Sequence, residues 1–558
     1  MTILGISSHY HESAAVIIRD GRLIAASAEE RFSRKKHDAG FPKQAIAYCL
    51  KEAGMRANEL DYVAFYEKPF QKFERNLTIS LRYAPESRSW FVESMRNSLT
   101  EKLWIKSTIV SELGIAPEQV LFVPQHTSHA AASFYPSPFS HAAYLTLDAV
   151  GEWTTGSWGT ARGHRLFPRY EMRFPHSVGM LYSAFTAFLG FEVNDGEYKV
   201  MGMAGYGKPR YVNKVKKTFR QFSDGSLRLN LDYFLFHRSA ERMCSDVFLK
   251  EFVGCDRFDL AASIQKVTEE IIFTMMSVIA RETGETNLVY GGGVALNSVI
   301  NGLVTKRTPF KHLFIFPAAG DDGAAAGAAL YAYHHVLGAE KRQPLRDVFW
   351  GKEYSDRTIR QFLVDKKIPY IAMKDARLYS TVTDALISGR VVGWFEGRAE
   401  FGPRALGHRT ILADPKESKM KDIVNAKIKF REEFRPFAPV ILAEQTKRYF
   451  TVTESNLIPF MLGTFQASRL AKRIAAAVVH VDGTSRIQTV SRGYPGRYRR
   501  LLEAFYKKTK RPILLNTSFN LKGEPIVNSP ADAYSTFVRS GIDVLVLGKY
   551  VIKDKITL

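Results

Sequence analysis

Residues 2–32 set short apolar runs against turn residues, "ILGISS", "SAAVIIRDG" and "RLIAASAEERF", with Asp20-Gly21 as hairpin punctuation. The pattern predicts strand, turn, strand. Residues 142–168, "AAYLTLDAVGEWTTGSWGTARGHRLF", repeat it in part: a strand runs to an acidic residue and a Gly-rich bend leads into another strand. Between them, over 42–115, the apolar spacing is helical, and aromatics such as those of "WFVESMRNSLTEKLW" read as core rather than as a binding stripe. "FDLAASIQKVTEEIIFTMMSVIARETG" predicts a long amphipathic helix stopped by glycine, then a strand, "NLVYGGG". The polar stretch 338–356 interrupts the patterning after the helix "GAAAGAALYAYHHVL". It places a boundary between a domain over 1–345 and a second α/β domain over 355–558. Strands of the second are expected at "GRVVGWF", "PVILAE", "AAAVVHV", "PILLNTSF" and "DVLVLGKYVI".

A chain of 558 residues exceeds what one core usually organises, and 46% hydrophobic with 24% charged residues is a globular composition. Three scattered cysteines exclude a disulfide framework and a cysteine zinc site, and suit a reducing cytoplasm. The N-terminus lacks a basic region followed by an apolar signal core, and no apolar run approaches the roughly 20 residues of a bilayer span. A soluble, cytoplasmic protein without a membrane partner is expected; a homodimer is left open. The net charge of +22 changes the picture, because it calls for an anionic partner. Basic residues cluster at 31–37, 208–221 and 491–512, the last interleaved with Tyr and Phe, ingredients of a surface that tracks a phosphate backbone and stacks on bases. Solvated helix faces and sites for phosphorylated small molecules account for part of the excess; nucleic acid stays open for the rest.

Several strings carry candidate chemistry. "VPQHTSHAAASF" (123–134) puts His126 and His129 three apart at a small-residue helix start, a spacing that shares a helix face with or without a metal. In "YGGGVALNS", Gly292 and Gly293 offer bare amides to a nucleotide and Asn297 a hydrogen bond to ribose or base. "FPAAGDDGAAAGAAL" opens a helix with Asp321 and Asp322, where a carboxylate can hold a metal or cap the helix. "NDGEYKVMGMAGYG" combines an acidic pair, Lys199 and four glycines in an expected loop. "EGRAEFGPRALGHRTILADP" and "NAKIKFREEFRPFAP" supply Arg398, Arg404, Arg409, Lys427, Lys429, Arg431 and Arg435 among Gly, Pro and Phe, a pattern for a phosphate pocket. "LLNTSFNLKGEP" adds Asn516, Thr517 and Ser518 at a strand end.

The duplicated strand unit resembles the half-domains of the actin, hexokinase and Hsp70 type fold. Taken in order, "HYHESAAV", "HTSHAAASFYPSPF", "LTLDAVGEW", "GEYKVMGMAGYG", "GGGVALNS", "AAGDDGAAAGAAL", "EFGPRALGHRTILADP", "FREEFRPFAPV" and "LLNTSFNLKGEPIV" resemble the O-carbamoyltransferases of antibiotic and nodulation-factor biosynthesis, the family of tobramycin carbamoyltransferase. The resemblance implies an N-terminal ASKHA-type transferase domain and a C-terminal YrdC-like domain. The latter would convert carbamoyl phosphate and ATP, with Mg2+, into carbamoyladenylate; the former would transfer the carbamoyl group to a hydroxyl. Because that anhydride hydrolyses readily, an enclosed passage is expected. Arg404, Arg409, Lys429, Arg431 and Arg435 would offset the repulsion of two polyanions, with Arg398, Arg486, Asn516, Thr517 and Ser518 as further contacts. His11 would be the general base, beside Glu12, which replaces the family's usual aspartate; Glu197 and Lys199 would touch substrate. A divalent metal, iron in the family, is implied at His126, His129, Asp148 and Asp321. The register puts Gln125, not a histidine, four residues before His129. Either His126 swings in from one residue along, or the site is weaker or metal-poor. The acceptor expected is a small-molecule hydroxyl; the charge keeps a hydroxymethylated DNA base as the alternative, and a non-catalytic nucleotide- or nucleic-acid-binding protein is the alternative of another class.

Overall fold

The structure is a computed structural model describing residues 1–452 and 455–556. It divides into two compact units, one of residues 1–29 and 39–346, the other of 30–38 and 347–558. The division at 346/347 falls inside the polar stretch 338–356; the assignment of 30–38 to the second unit departs from a simple N-terminal and C-terminal split. Arg31 donates to the Gly402 carbonyl, and Arg34 to those of Pro525 and Ile526, so this basic segment is internal to the second unit.

In the first unit, Asp20 and Gly21 both take left-handed backbone (φ 49° and 73°), the pair of positive angles a tight two-residue hairpin needs. Strands β1 (Thr2–Ser7), β2 (Ala14–Arg19), β3 (Arg22–Ala28), β4 (Tyr62–Phe65) and β5 (Val120–Phe122) form a sheet of order β3-β2-β1-β4-β5. Its first three strands are antiparallel and its last two run parallel to β1. Strands β6 (His141–Leu147), β7 (Thr154–Arg162) and β8 (Arg165–Arg173), with Asn287–Gly291 and His312–Ile315, repeat the same order and senses. Two copies of one topology make the duplicated ASKHA architecture of actin, hexokinase and Hsp70. The stretch 42–115 is largely helical as expected, with β4 within it supplying the first sheet's fourth strand.

The halves exchange helices. Helix Gln125–Phe134 follows the last strand of the first sheet and packs on the second; helix Asp321–Tyr331 follows the last strand of the second and packs on β1 and β2. The two helices also pack on each other, and small residues make this possible. A Cβ on Gly327 would stand 1.8 Å from the Ser128 carbonyl oxygen, and one on Gly5 of β1 1.9 Å from that of Ala325. This contact sets the two helix N-termini side by side.

The second unit is built on a mixed eight-stranded sheet, in spatial order Ile371–Ala372, Tyr550–Ile552, Val544–Leu547, Val392–Phe395, Arg409–Ala413, Ile513–Ser518, Ala438–Leu442 and Gln488–Val490. Alternation divides its core between two faces: Ile411, Ala413, Ile513 and Leu515 pack on one side, Leu412, Leu514 and Val440 on the other. Two expectations are corrected. "AAAVVHV" is no strand; Ala476–Val478 is a single 3-10 turn, because a short apolar run carries no period to separate the alternatives. "GEYKVMGMAGYG" is largely helix Glu197–Ala204, and its glycines serve packing: a Cβ on Gly207 would meet the Phe258 carbonyl oxygen at 2.0 Å. Among the described residues no helix is long and apolar enough to cross a membrane.

The helix exchange yields a stability test. Gly327→Ala forces a methyl against the Ser128 carbonyl and should cost about 3 kcal/mol of unfolding free energy, measured by denaturant titration. Ala326→Ser, on the same buried helix, should cost clearly less.

Candidate functional site

In the first unit the exchanged helices bring three sequence-distant groups together. His129 Nε2 lies 3.1 Å from Asp148 Oδ2 and 3.4 Å from Asp321 Oδ1, all three side chains being buried. Asp148 stands just beyond β6, and Asp321 is the first residue of its helix. The Gly-rich strand end shapes the floor: Gly292 has φ 87°, and a Cβ there would stand 2.3 Å from the Leu147 carbonyl oxygen. A Cβ on Gly293 would stand 3.1 Å from Asp148 Oδ1. Gly292 therefore allows close approach to the backbone just before Asp148, and Gly293 close approach to its carboxylate. The start of helix Gln125–Phe134 is capped from a distance, since the buried Glu152 carboxylate accepts the Gln125 N–H at 3.0 Å.

Burial alone would lower the His129 pKa, but the Asp148 and Asp321 carboxylates beside it outweigh that and hold it up at about 10. Two buried carboxylates thus demand a positive charge beside them. His129, Asp148 and Asp321 each offer a ligand atom within 4.8 Å of the others, and Asp321 Oδ2 accepts no hydrogen bond. One imidazole nitrogen and several carboxylate oxygens suit a divalent cation toward the harder end of the transition series. His126 is not among these groups. Its Nδ1 lies 2.8 Å from Thr146 Oγ1, and burial, then His129, lowers its pKa to about 4. It is Gln125, one turn before His129, that reaches the triad, donating from Nε2 to Asp321 Oδ1 at 2.7 Å. The helical rotation decides this, because Gln125 lies about 40° to one side of His129 and His126 about 60° to the other.

His11 is a quarter exposed, with Nε2 3.8 Å from Asp321 Oδ2 and a buried Nδ1 that makes no hydrogen bond. Glu12 reaches the same helix start, its Oε2 3.7 Å from where a Gly320 Cβ would be. Lys199 is not brought into this group; its ammonium lies 3.7 Å from Asp195 of its own segment, and Glu197 accepts from Ser183 Oγ at 2.6 Å. Asn297 caps the short helix Ser298–Asn301 and bonds Gln265, which also accepts from Tyr182. Gln265 and Tyr182 carry no sequence signal because they sit on long apolar helices.

The second unit gathers cations. Arg486 is pushed well below the usual guanidinium range by burial and then by Arg404, Arg431 and Arg435. Its Nε is buried and makes no hydrogen bond. Lys429 is lowered by burial and by Arg431 and Arg435; it is anchored to the Ser518 carbonyl oxygen (2.5 Å) and to Asn520 Oδ1 (2.7 Å). Asn516 bridges Gln488 Oε1 at 2.6 Å and the Ala405 carbonyl at 3.1 Å, and Thr517 gives its carbonyl to Thr410 at 3.0 Å. Like charges crowded in a desolvated site are stable only beside anions. The loop bearing Arg404 is fixed by Glu400, whose Oε1 accepts from the backbones of Leu406 and His408. His480, missed in the sequence, is lowered to about 4 by burial, with Arg486 among its neighbours.

Two predicted phosphate ligands turn away. Arg409 is fully buried and donates to the carbonyls of Glu396, His408, Lys352 and Gly397, stacked 3.7 Å over Phe395. Arg398 donates to the carbonyls of Trp350 and Gly351. A guanidinium satisfied by backbone holds chain segments together, and pattern alone does not separate it from one held open for phosphate.

Residues 2–330 match the family model described as the carbamoyltransferase N-terminus, and residues 383–554 that of the carbamoyltransferase C-terminus. The chain belongs to the carbamoyltransferase family. A Synechocystis protein, sll1178, is 42% identical over 99% of this chain and 96% of its own length. Nodulation protein NolNO of Sinorhizobium fredii is 37% identical over 98% of this chain and 79% of its own. Nodulation protein NolO of Bradyrhizobium diazoefficiens is 34% identical over 77% of this chain and 78% of its own. The chain is thus a carbamoyltransferase.

For this carbamoyltransferase, Asp321→Asn should lower the metal content of the purified protein, read by elemental mass spectrometry, at least about tenfold. His126→Ala should leave it near the parent value. Arg409→Met should destabilise the fold by about 3 kcal/mol or more, since it orphans buried carbonyls. Arg486→Gln, which removes a like-charge neighbour, should leave the melting temperature unchanged or raised.

Proposed function

We propose that the chain is an ATP-dependent O-carbamoyltransferase that activates the carbamoyl group in its second unit and delivers it to a hydroxyl in its first. The observation that carries this reading is the crowding of Arg404, Arg431, Arg435 and Arg486 in a buried site, an array suited to two polyanions at once. Water releases phosphate from carbamoyl phosphate, and the carbamate oxygen attacks the α-phosphorus of ATP. Pyrophosphate leaves and carbamoyladenylate remains. The arginines offset the repulsion between the reactants, and Lys429, pinned by Ser518 and Asn520, supplies a positioned charge.

In the first unit the acceptor oxygen attacks the carbamoyl carbon as AMP departs, and His11 takes the hydroxyl proton. A divalent metal held by His129, Asp148 and Asp321 would supply Lewis-acid polarisation of the carbamoyl or phosphate oxygens. The acceptor is read as a small molecule. Within 491–512 the aromatic residues Tyr498 and Phe505 are buried, and Arg497, Arg499, Lys508 and Arg511 each pair with a carboxylate. Tyr494 and Tyr506 are half-buried, so no aromatic ring of this stretch is fully exposed to stack on bases.

With ATP, Mg2+ and carbamoyl phosphate, pyrophosphate should appear only when carbamoyl phosphate is present, and Arg486→Gln should slow its release about a hundredfold. ATP turnover indifferent to carbamoyl phosphate would sink the reading. Mass spectrometry of acceptors should show a gain of one carbamoyl group on a small alcohol; the same gain on hydroxymethylcytosine DNA alone would reverse the choice of acceptor.

A further inference from the structure

A second charged cluster adjoins the triad and has no part in the chemistry above. Glu67 follows β4, Lys72 and Arg75 lie on helix Pro69–Arg82, and Lys102 opens the turn Lys102–Trp104. Tyr10 stands among them: Lys72 Nζ is 4.7 Å from its ring centroid and Lys102 Nζ 5.9 Å. The Tyr10 phenol is pushed up by burial and then by Asp148 and Asp321, so the same side chain borders both the cations and the triad.

One cation of this cluster is left without a close partner. Lys72 is paired with the buried Glu67 at 2.5 Å, which satisfies one cation with one anion. Arg75 is taken up by the Gly151 carbonyl and Asn76 Oδ1. Glu101 is spent on His9 at 3.2 Å and is two-thirds exposed. Lys102, half-buried, then adds a cation with no ion pair or hydrogen bond among the described residues; it faces the Tyr10 ring, and Glu67 and Glu101 attract it without pairing with it. Burial, then Lys72 and Arg75, brings its ammonium down to about 7. A purely structural lysine would extend to solvent, as its flexible stem allows. One held beside two other cations marks a place where an anion belongs.

We infer that Lys102, with Lys72 across the Tyr10 ring, holds an anionic group, phosphate or carboxylate, of the hydroxyl-bearing acceptor. This rests on the reading of the first unit as the transfer site. Tyr10 joins the anion end of the acceptor to the end bearing His11, 4.7 Å from it between ring centroids. Selection is then for acidic hydroxy compounds over neutral or cationic ones.

The test is site-resolved acetylation of the full chain by limiting acetic anhydride, followed by peptide mass spectrometry. Lys102 should react about tenfold faster than exposed lysines, because an amine of lowered pKa is more often unprotonated. Glycerol 3-phosphate or glycerate should protect it at least about fivefold at an ionic strength where chloride does not, and glycerol should give no protection. Comparing the two anions distinguishes a phosphate from a carboxylate ligand. Lys72→Gln should weaken the protection, and Arg404→Gln, in the other unit, should leave it intact. Equal labelling with and without anions, or protection matched by chloride, overturns the proposal. Carbamoyl-phosphate-dependent pyrophosphate release, measured on the same preparation, separates this failure from that of the transferase reading.

Discussion

The first unit turns on the contact of two helices at glycine distance. Helices Gln125–Phe134 and Asp321–Tyr331 meet where Gly327 faces the Ser128 carbonyl, and a side chain there would have to displace backbone. Because each helix leaves one sheet and packs on the other, their contact also fixes the two halves to each other. Everything chemical follows from it. Two helix starts converge, so His129 and Asp321 arrive from residues nearly two hundred apart, and Asp148 is delivered by the strand end between them. A negative pair is created inside a low-dielectric core, and its cost is offset only by a cation.

The second unit solves the opposite electrostatic problem. There the guanidinium groups of Arg404, Arg431 and Arg435 gather around Arg486, and two buried carboxylates nearby hold loops in place. Glu400 caps the backbone of the Arg404 loop, and Glu396 accepts the backbone amide of Arg497. A carboxylate that binds backbone amides fixes the loop that carries a guanidinium group, so the positions of the crowded cations are set by the backbone and not by one another.

Much of this was legible in the sequence, for reasons that can be named. The strand-hairpin pattern announced itself because Asp20-Gly21 needs positive φ at both positions, and the long helix ended where Gly284 is left-handed (φ 68°). His129, Asp148 and Asp321 were identified through the resemblance of their motifs to those of the family, and the residues alone marked only His129 and Asp321, as polar groups at helix starts. The errors share one cause, that composition does not give direction. Arg404 and Arg409 lie in one string, yet Arg409 sits within the strand Arg409–Ala413 and is turned to four carbonyls, whereas Arg404 belongs to the loop before it. His126 and Gln125 differ by one position, about 100° around the helix, and that rotation sends the histidine to Thr146 and the glutamine to Asp321. Glu152 was invisible as a cap because its partner amide is 27 residues away.

The net charge shows why a bulk number must be resolved into residues before it implies a partner. A value of +22 suggests a polyanion at the surface. Yet the segment 31–37 sends Arg31 and Arg34 to backbone carbonyls, and in 208–221 Lys216 and Lys217 meet Glu270 and Glu251. What distinguishes Arg486 is burial with the guanidinium groups of Arg404, Arg431 and Arg435 around it, and Lys102 shows no ion pair among the described residues. Charge that tracks nucleic acid is exposed and mobile, so that counterions can be exchanged for phosphates along a surface. Charge that is buried and crowded suits instead a ligand of limited size, and Arg486 with its neighbouring arginines is of this second kind.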